Sequence, residues 1–228
     1  MKRVLVICAH PDDEVIGVGG TIRKLVNQGA EVSVVMFANG NEGYSTMEQK
    51  DKIVEIRREE RRKAGKIIGV KTYEAFDYED YGIPADKETY KLCIKMIRKY
   101  KPDTILTHYW LDYMPHKAVA TIATEAWWQA GYECSLELGE PWKANSLYYF
   151  EVLESLPQVT HVVDITDTFD AKLKAMEAYS SQAASLPAIV ERIQGKAMVR
   201  GSIAGVKYGE ALLKSSYMPQ TIKRIEEL

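Results

Sequence analysis

The chain has little cysteine, no strong charge bias and no long apolar run, and each shortage removes a class of answer. Its three cysteines, Cys8, Cys93 and Cys134, are odd in number and show no Cys-x-x-Cys spacing, so reduced thiols are expected rather than a disulfide framework. No segment approaches the ~20 consecutive apolar residues of a membrane span. No secretory signal is visible either, because Lys2-Arg3 is followed by only six apolar residues and then by acids. The net charge of -2 gives no reason to expect a nucleic acid partner. The expectation is a soluble, cytoplasmic protein with no membrane or nucleic acid to bind.

Two motifs are also missing. No G-x-S-x-G elbow is present, which leaves a serine hydrolase without support. Gly17-Val18-Gly19-Gly20 resembles a dinucleotide loop, but G-x-G-x-x-G would place its last glycine at Ile22, and the preceding turn is acidic. Close helix–sheet packing is the better reading of those glycines. The basic run Arg57-Arg58 and Arg61-Arg62-Lys63 is interleaved with glutamates and reads mainly as a solvated helix face.

What is present is an alternation of apolar runs and helical patterns. Strands are expected at Lys2–Ala9, Glu31–Ala38, Thr72–Phe76 and Asp103–Thr107, with helices at Val15–Gln28, Met47–Ile68 and from Asp86, as cap, to Tyr100. Strands separated by helices imply right-handed crossovers and a mostly parallel sheet. The expected fold is therefore α/β, a Rossmann-like three-layer sandwich with helices on both faces. After a helix at His116–Ala130 come two strand-like runs, Ser146–Leu153 and Val159–Ile165. The last third, from Asp167 on, reads as mainly helical, interrupted at Pro187 and at Gly201–Gly205. No repeat, linker or low-complexity stretch is visible, so residues 1–228 are read as one domain.

His10-Pro11-Asp12-Asp13-Glu14 ends the first strand, and ligands of an open α/β sheet bind at the carboxyl ends of its strands. One acid there would suffice to favour the N-terminus of the next helix; three acids and a histidine are more than capping needs. His108 ends another strand and His116 begins the next helix, along the same edge. A catalytic zinc takes about three protein ligands, and His10, Asp13 and His116 can supply them. Asp12 is then free to act as general base towards water. His108 reads equally as a supporting or substrate-facing group and as a plain strand-end histidine. His161 lacks acidic company and reads as structural.

These residues resemble the LmbE-like, or PIG-L-like, zinc-dependent N-acetylglucosaminyl deacetylases. Ala9 to Glu14 with Gly17, Gly19-Gly20 and Thr21 matches the family's first motif. Asn39-Gly40, Arg57-x-x-Glu60-x-x-x-Ala64, Val163 to Thr166 with Lys172, Tyr179 to Gln182, and Gly201, Gly205, Tyr208 and Glu210 extend the match over nearly the whole chain. The resemblance implies His10 and Asp13 as zinc ligands, Asp12 as base and Arg57 as a contact to the sugar or its aglycone. It also implies a small amino-sugar substrate, of the glucosaminyl-malate type by similarity to the short bacterial members, and a trimer or hexamer. Fe2+, Mn2+ and Co2+ suit the same donors as Zn2+.

The second motif departs from the family. Close relatives carry Tyr-Trp-x-Asp-Arg-His-Pro-Asp-His; this chain has Tyr109-Trp110-Leu111-Asp112-Tyr113-Met114-Pro115-His116. Deleting the penultimate aspartate keeps His116 as the last ligand and puts Met114 at the first histidine, which in the family stabilises the charged intermediate. Tyr113 or His108 are the candidates to take over that task, with Asp112 beside them. The expected activity is metal-dependent removal of an N-acetyl group. The alternatives are a metal-binding paralogue that has lost hydrolysis and holds a sugar or partner, and a deacylase acting on another acylated amine.

Overall fold

The computed structural model describes residues 2–217. Seven strands form one sheet: β1 (Arg3–Cys8), β2 (Glu31–Ala38), β3 (Thr72–Tyr78), β4 (Thr104–His108), β5 (Ser146–Phe150), β6 (His161–Asp164) and β7 (Gly209–Lys214), in the order β3-β2-β1-β4-β5-β7-β6. The first five are parallel, and β7 runs antiparallel to both neighbours. Successive side chains of a strand point to opposite faces. Along β1, Val4, Val6 and Cys8 therefore enter one core while Leu5, Ile7 and, just beyond the strand, Ala9 enter the other. Burial on both faces explains why the strand reads as a continuous apolar run rather than an alternating one.

Among the described residues seven α-helices accompany the sheet: α1 (Asp13–Asn27), α2 (Ile53–Ile68), α3 (Lys87–Tyr100), α4 (Met114–Gln129), α5 (Phe169–Glu177), α6 (Ser180–Ser185) and α7 (Ile189–Ile203). Helices α1, α2, α5 and α7 contribute to the core on the face of Val4, and α3 and α4 to that on the face of Leu5. Asp86 caps α3 as the sequence suggests, accepting from the N–H groups of Glu88 and Thr89. The chain order reverses at β1, which has β2 on one side and β4 on the other. That reversal opens a crevice at the carboxyl ends of β1 and β4, where His10 and His108 lie.

The helical reading beyond Asp167 fails at Gly209–Lys214, which is strand β7; its part beyond residue 217 lies outside the described residues. Glu210 to Lys214 are good helix formers locally, but β5 and β6 flank the segment and pair it on both sides. Tertiary pairing overrides a propensity of a few tenths of a kcal/mol per residue. The expected long helix from Met47 also divides: Met47–Lys52 is a 3-10 turn, and the α-helix starts at Ile53.

The glycines of α1 mark close packing. A Cβ on Gly17 would lie 2.4 Å from the Phe150 ring, and one on Gly20 would lie 2.8 Å from Ile165. The helix breaks at Val18 (φ -138°, ψ 21°), and the break frees backbone groups on both sides. The Glu210 carboxylate accepts from Gly20 N (3.0 Å) and Thr21 N (2.7 Å), while Lys172 Nζ donates to Ile16 O (2.8 Å) and pairs with Glu210. A buried ion pair thus closes the interruption. Lys172→Met leaves Glu210 charged and alone, and should cost about 3–5 kcal/mol in urea unfolding; a loss under about 1 kcal/mol would show that the pair does not hold the break.

Candidate active site

The crevice gathers His10, Asp13 and His116. His10 Nδ1 lies 3.3 Å from His116 Nε2 and 3.5 Å from Asp13 Oδ2, and His116 Nε2 lies 3.2 Å from Asp13 Oδ1. One ligand atom from each residue falls within 4.8 Å of the others, and all three residues are buried. Tetrahedral bonds of ~2.0–2.1 Å to zinc place ligand atoms roughly 3.3–3.4 Å apart, and the two nitrogens stand at that separation while one Asp13 oxygen faces each of them. Two imidazoles and one carboxylate also form the donor set such a cation takes. The residues fit a divalent metal.

Asp13 is held in place from the backbone. Its Oδ2 accepts from His10 N at 2.7 Å, which folds the strand end back onto the first residue of α1. Burial alone would push its carboxyl up, but His116, His108 and the His10 contact hold it well below the usual range. Burial pulls His116 down, yet Asp13 and Asp112 together raise it to about 9. Asp112 Oδ2 is 3.3 Å from His116 Nδ1, an ion-pair contact in the place where a carboxylate supports a metal-ligating histidine, although the angle falls short of a hydrogen bond. His108 Nε2 lies 2.9 Å from Ala9 N and 3.2 Å from Asp13 Oδ2, beneath the triangle. Burial and the charge of His116 lower His108 to about 4, so it is neutral, and its Nε2 accepts from the Ala9 N–H and packs beside Asp13 without donating to it.

Asp12 occupies a strained position, with φ 109° and ψ -26°. Its Oδ2 accepts from Arg57 Nη2 at 2.8 Å, and its N–H donates to Glu14 Oε2 at 3.2 Å. Burial raises its carboxyl well above the usual range, and Arg57 partly offsets this. Arg57 also donates to Pro11 O and is buried, so this end of the guanidinium serves the acidic turn. The loop at Asn39-Gly40 folds over Arg57: Gly40 adopts φ 81°, and a Cβ there would sit 2.7 Å from Arg57 Cδ.

A cleft of about 800 Å³, counted out to its mouth, opens onto these groups. Ile16, Val152, Leu153 and Leu186 give it apolar wall, and Tyr81 and Tyr113 stand in it. Tyr113 Oη is 3.3 Å from His10 Nδ1. His108 and Asp112 do not line the cleft, whereas Asp12, Arg57 and Tyr113 do.

Two contributions were not legible beforehand. Asp80, in the loop after β3, accepts from Gly40 N (2.8 Å) and Glu42 N (3.0 Å) and thereby shapes one wall. Only its place in a loop near a strand end hinted at this. Glu14 accepts from Tyr73 (3.1 Å), Tyr179 (2.8 Å) and Asp12 N, so the last acid of the motif is a brace behind Asp12.

Removing divalent metal with a chelator and restoring one equivalent should raise Tm, by about 2.7 kcal/mol of stabilisation at a free concentration of 100 Kd. His116→Ala should abolish the shift. Asp112→Asn should keep it but weaken metal affinity by roughly 10–100-fold in a competition titration. A Tm indifferent to metal in the unaltered protein would rule out the site.

Comparison with known proteins follows the geometry. The family model described as GlcNAc-PI de-N-acetylase (PIG-L) matches residues 5–127. A diacetylchitobiose deacetylase of Thermococcus kodakarensis is 31% identical over 192 residues, 80% of this chain and 70% of that protein. A 4-oxalmesaconate hydratase of Pseudomonas putida is 30% identical over 194 residues, 79% of this chain and 74% of that protein. Among solved structures, the N,N'-diacetylchitobiose deacetylase of Pyrococcus horikoshii, in complex with an inhibitor, superposes with a TM-score of 0.86 at 29% identity, over 94% of this chain and 84% of that one. With the first motif at the switch point of the sheet and the match running through α4, the chain belongs to the PIG-L, or LmbE-like, de-N-acetylase family.

Proposed function

We propose that this protein is a metal-dependent N-deacetylase that hydrolyses the acetamido group of an N-acetylglucosamine-type sugar. The observation that carries the reading is the buried His10–Asp13–His116 triangle with Asp12 beside it at the floor of a small-molecule cleft. A divalent cation held there, Zn2+ by the donor set and Fe2+, Mn2+ or Co2+ by the same chemistry, supplies a Lewis acid for the acetyl carbonyl and lowers the pKa of water.

The chain's own residues do the rest. Arg57 fixes Asp12 through Oδ2, and the other oxygen meets no protein donor among the described residues, so it is free to accept a proton from the attacking water. The raised basicity of that buried carboxylate suits the task, and Asp12 returns the proton to the leaving amine as the C–N bond breaks. The His10 N–H keeps Asp13 in position, and Asp112 sets a negative charge beside His116. The apolar wall and the two tyrosines suit a sugar ring, whose faces are apolar and whose edge is polar. The deacetylases among the relatives support an N-acetylated amino sugar as substrate.

The hydratase relative carries a second reading. Adding water to a double bond conjugated to a carbonyl needs the same base and the same cation, and this chain lacks the second-motif histidine of the deacetylases.

Acetate and primary amine should both appear when metal-loaded protein meets N-acetylglucosamine, N,N'-diacetylchitobiose or an N-acetylglucosamine conjugate. Asp12→Asn should lower that rate by ~10²–10⁴-fold with metal content unchanged, because it removes the base and keeps the shape. No acetate from any of these, with hydration of an unsaturated carboxylic acid instead, would transfer the assignment to the second reading.

A further inference from the structure

Water adding to an amide carbonyl moves the π electrons onto oxygen, and a donor aimed at that oxygen is worth ~10²–10³ in rate. The second motif puts Met114 where the family has a histidine for this task. Met114 is the first residue of α4, is 63% exposed and does not line the cleft, and a thioether has no proton to donate. The other candidates are committed elsewhere. His108 is 1% exposed and lies beneath Asp13. Arg57 spends Nη2 on Asp12 and Pro11 O; its Nε is buried without a partner, and the guanidinium lies against the acidic turn, Gly40 and Gly43 rather than on the ligand histidines. The side-chain amide of Gln182 donates to Gly43 O and Ser181 Oγ.

Tyr113 is the donor in the cleft that touches a ligand histidine. Tyr113 Oη stands 3.3 Å from His10 Nδ1, the same separation as the ligand atoms keep among themselves. Its ring lies parallel to His10 (9°, centroids 5.9 Å) and 4.3 Å from the ring of His116. Of the two tyrosines in the cleft, it is the one whose ring packs on both histidines. In the metal-free protein its O–H can donate to Nδ1. A cation that takes this lone pair removes the acceptor and releases the hydroxyl as a donor towards the cleft. The 43% exposure of Tyr113 leaves it open to a bound molecule.

We infer that Tyr113 is the oxyanion donor of this chain, a phenol doing the work of the histidine that position 114 has lost. The inference rests on the deacetylase reading. In the addition step water oxygen bonds to the acetyl carbon, Asp12 takes the water proton, and the new alkoxide accepts from the Tyr113 O–H. In the collapse the C–N bond breaks, the amine takes the proton from Asp12, and Tyr113 keeps its own proton throughout.

Tyr113→Phe tests this with the ring contacts kept. The expected result is a fall in kcat of ~10²–10³-fold with KM changed by less than about threefold and metal stoichiometry intact. A second measurement does not depend on turnover: the methylphosphonamidate of glucosamine, a tetrahedral anion, should bind Tyr113→Phe roughly 10²-fold more weakly, while glucosamine itself binds both proteins alike. Adding Met114→His to Tyr113→Phe should restore nothing, because that side chain leaves the cleft. Full activity in Tyr113→Phe, recovery through Met114→His, or equal affinity for the phosphonamidate (no binding by either protein included) overturns the assignment. If the unaltered protein releases no acetate yet binds the phosphonamidate through Tyr113, the deacetylase reading fails and the donor stands.

Discussion

The Asp13 carboxylate is the charge around which this end of the molecule is organised. His10 and His116 face its two oxygens, His108 lies beneath it, and the His10 N–H binds it from the turn. A lone buried carboxylate would take up a proton rather than bear its charge in an apolar interior. His116, the His10 contact and a backbone donor make the ionised form the favoured one, and the same arrangement makes it a good cation ligand. Each of those groups reaches Asp13 from a different place: the end of β1, the end of β4 and the first turn of α4. The parallel sheet brings them together, since the carboxyl ends of β1 and β4 are neighbours only because the chain order reverses there.

A second charge next to it needs separate support. Asp12 and Glu14 flank Asp13, and three adjacent buried acids would repel one another if all were ionised. The structure gives each a different environment. Arg57 answers Asp12, two tyrosine hydroxyls and the Asp12 N–H answer Glu14, and the histidines answer Asp13. Burial shifts Glu14 upward, towards the neutral acid, while at Asp13 the surrounding histidines outweigh burial and shift it downward, towards the carboxylate. Environments that push like groups apart are what allow neighbouring acids to take distinct roles. The left-handed backbone of Asp12 belongs to the same arrangement, for it turns that side chain to Arg57 and the cleft while its neighbours face the histidines and the tyrosines.

How much of this could be read from the sequence follows from range. His10 to Glu14 is local: a strand end, a turn and a helix start lie within a few residues, so their chemistry shows in the letters. The alternation that builds the parallel sheet is also local, and with it the α/β class. Strand β7 was not legible because Glu210-Ala211-Leu212-Leu213-Lys214 prefers helix by itself and becomes a strand only when β5 and β6 flank it. Asp80 was hidden for the same reason, since its meaning lies in the two N–H groups of a loop some forty residues earlier. Arg57 shows the intermediate case. The family resemblance set it apart from a solvated face, as a contact to the sugar or its aglycone, but its grip on Asp12 is a contact across 45 residues.

The second motif shows how a site can change its letters and keep its geometry. Losing one residue between Pro115 and His116 relative to the family pattern would rotate everything upstream if the helix began at a fixed point. Here α4 starts at Met114, two residues before His116, and the proline sits at its first turn, where a missing N–H costs nothing. Pro115 and His116 both lie within this first turn, and His116 keeps its reach to Asp13. The side chain at 114 falls outside the cleft, whereas Tyr113 lines it. Selection on such a site acts on where donors and ligands end up, not on the residues that supply them, so a motif that is damaged as a string can be intact as an arrangement.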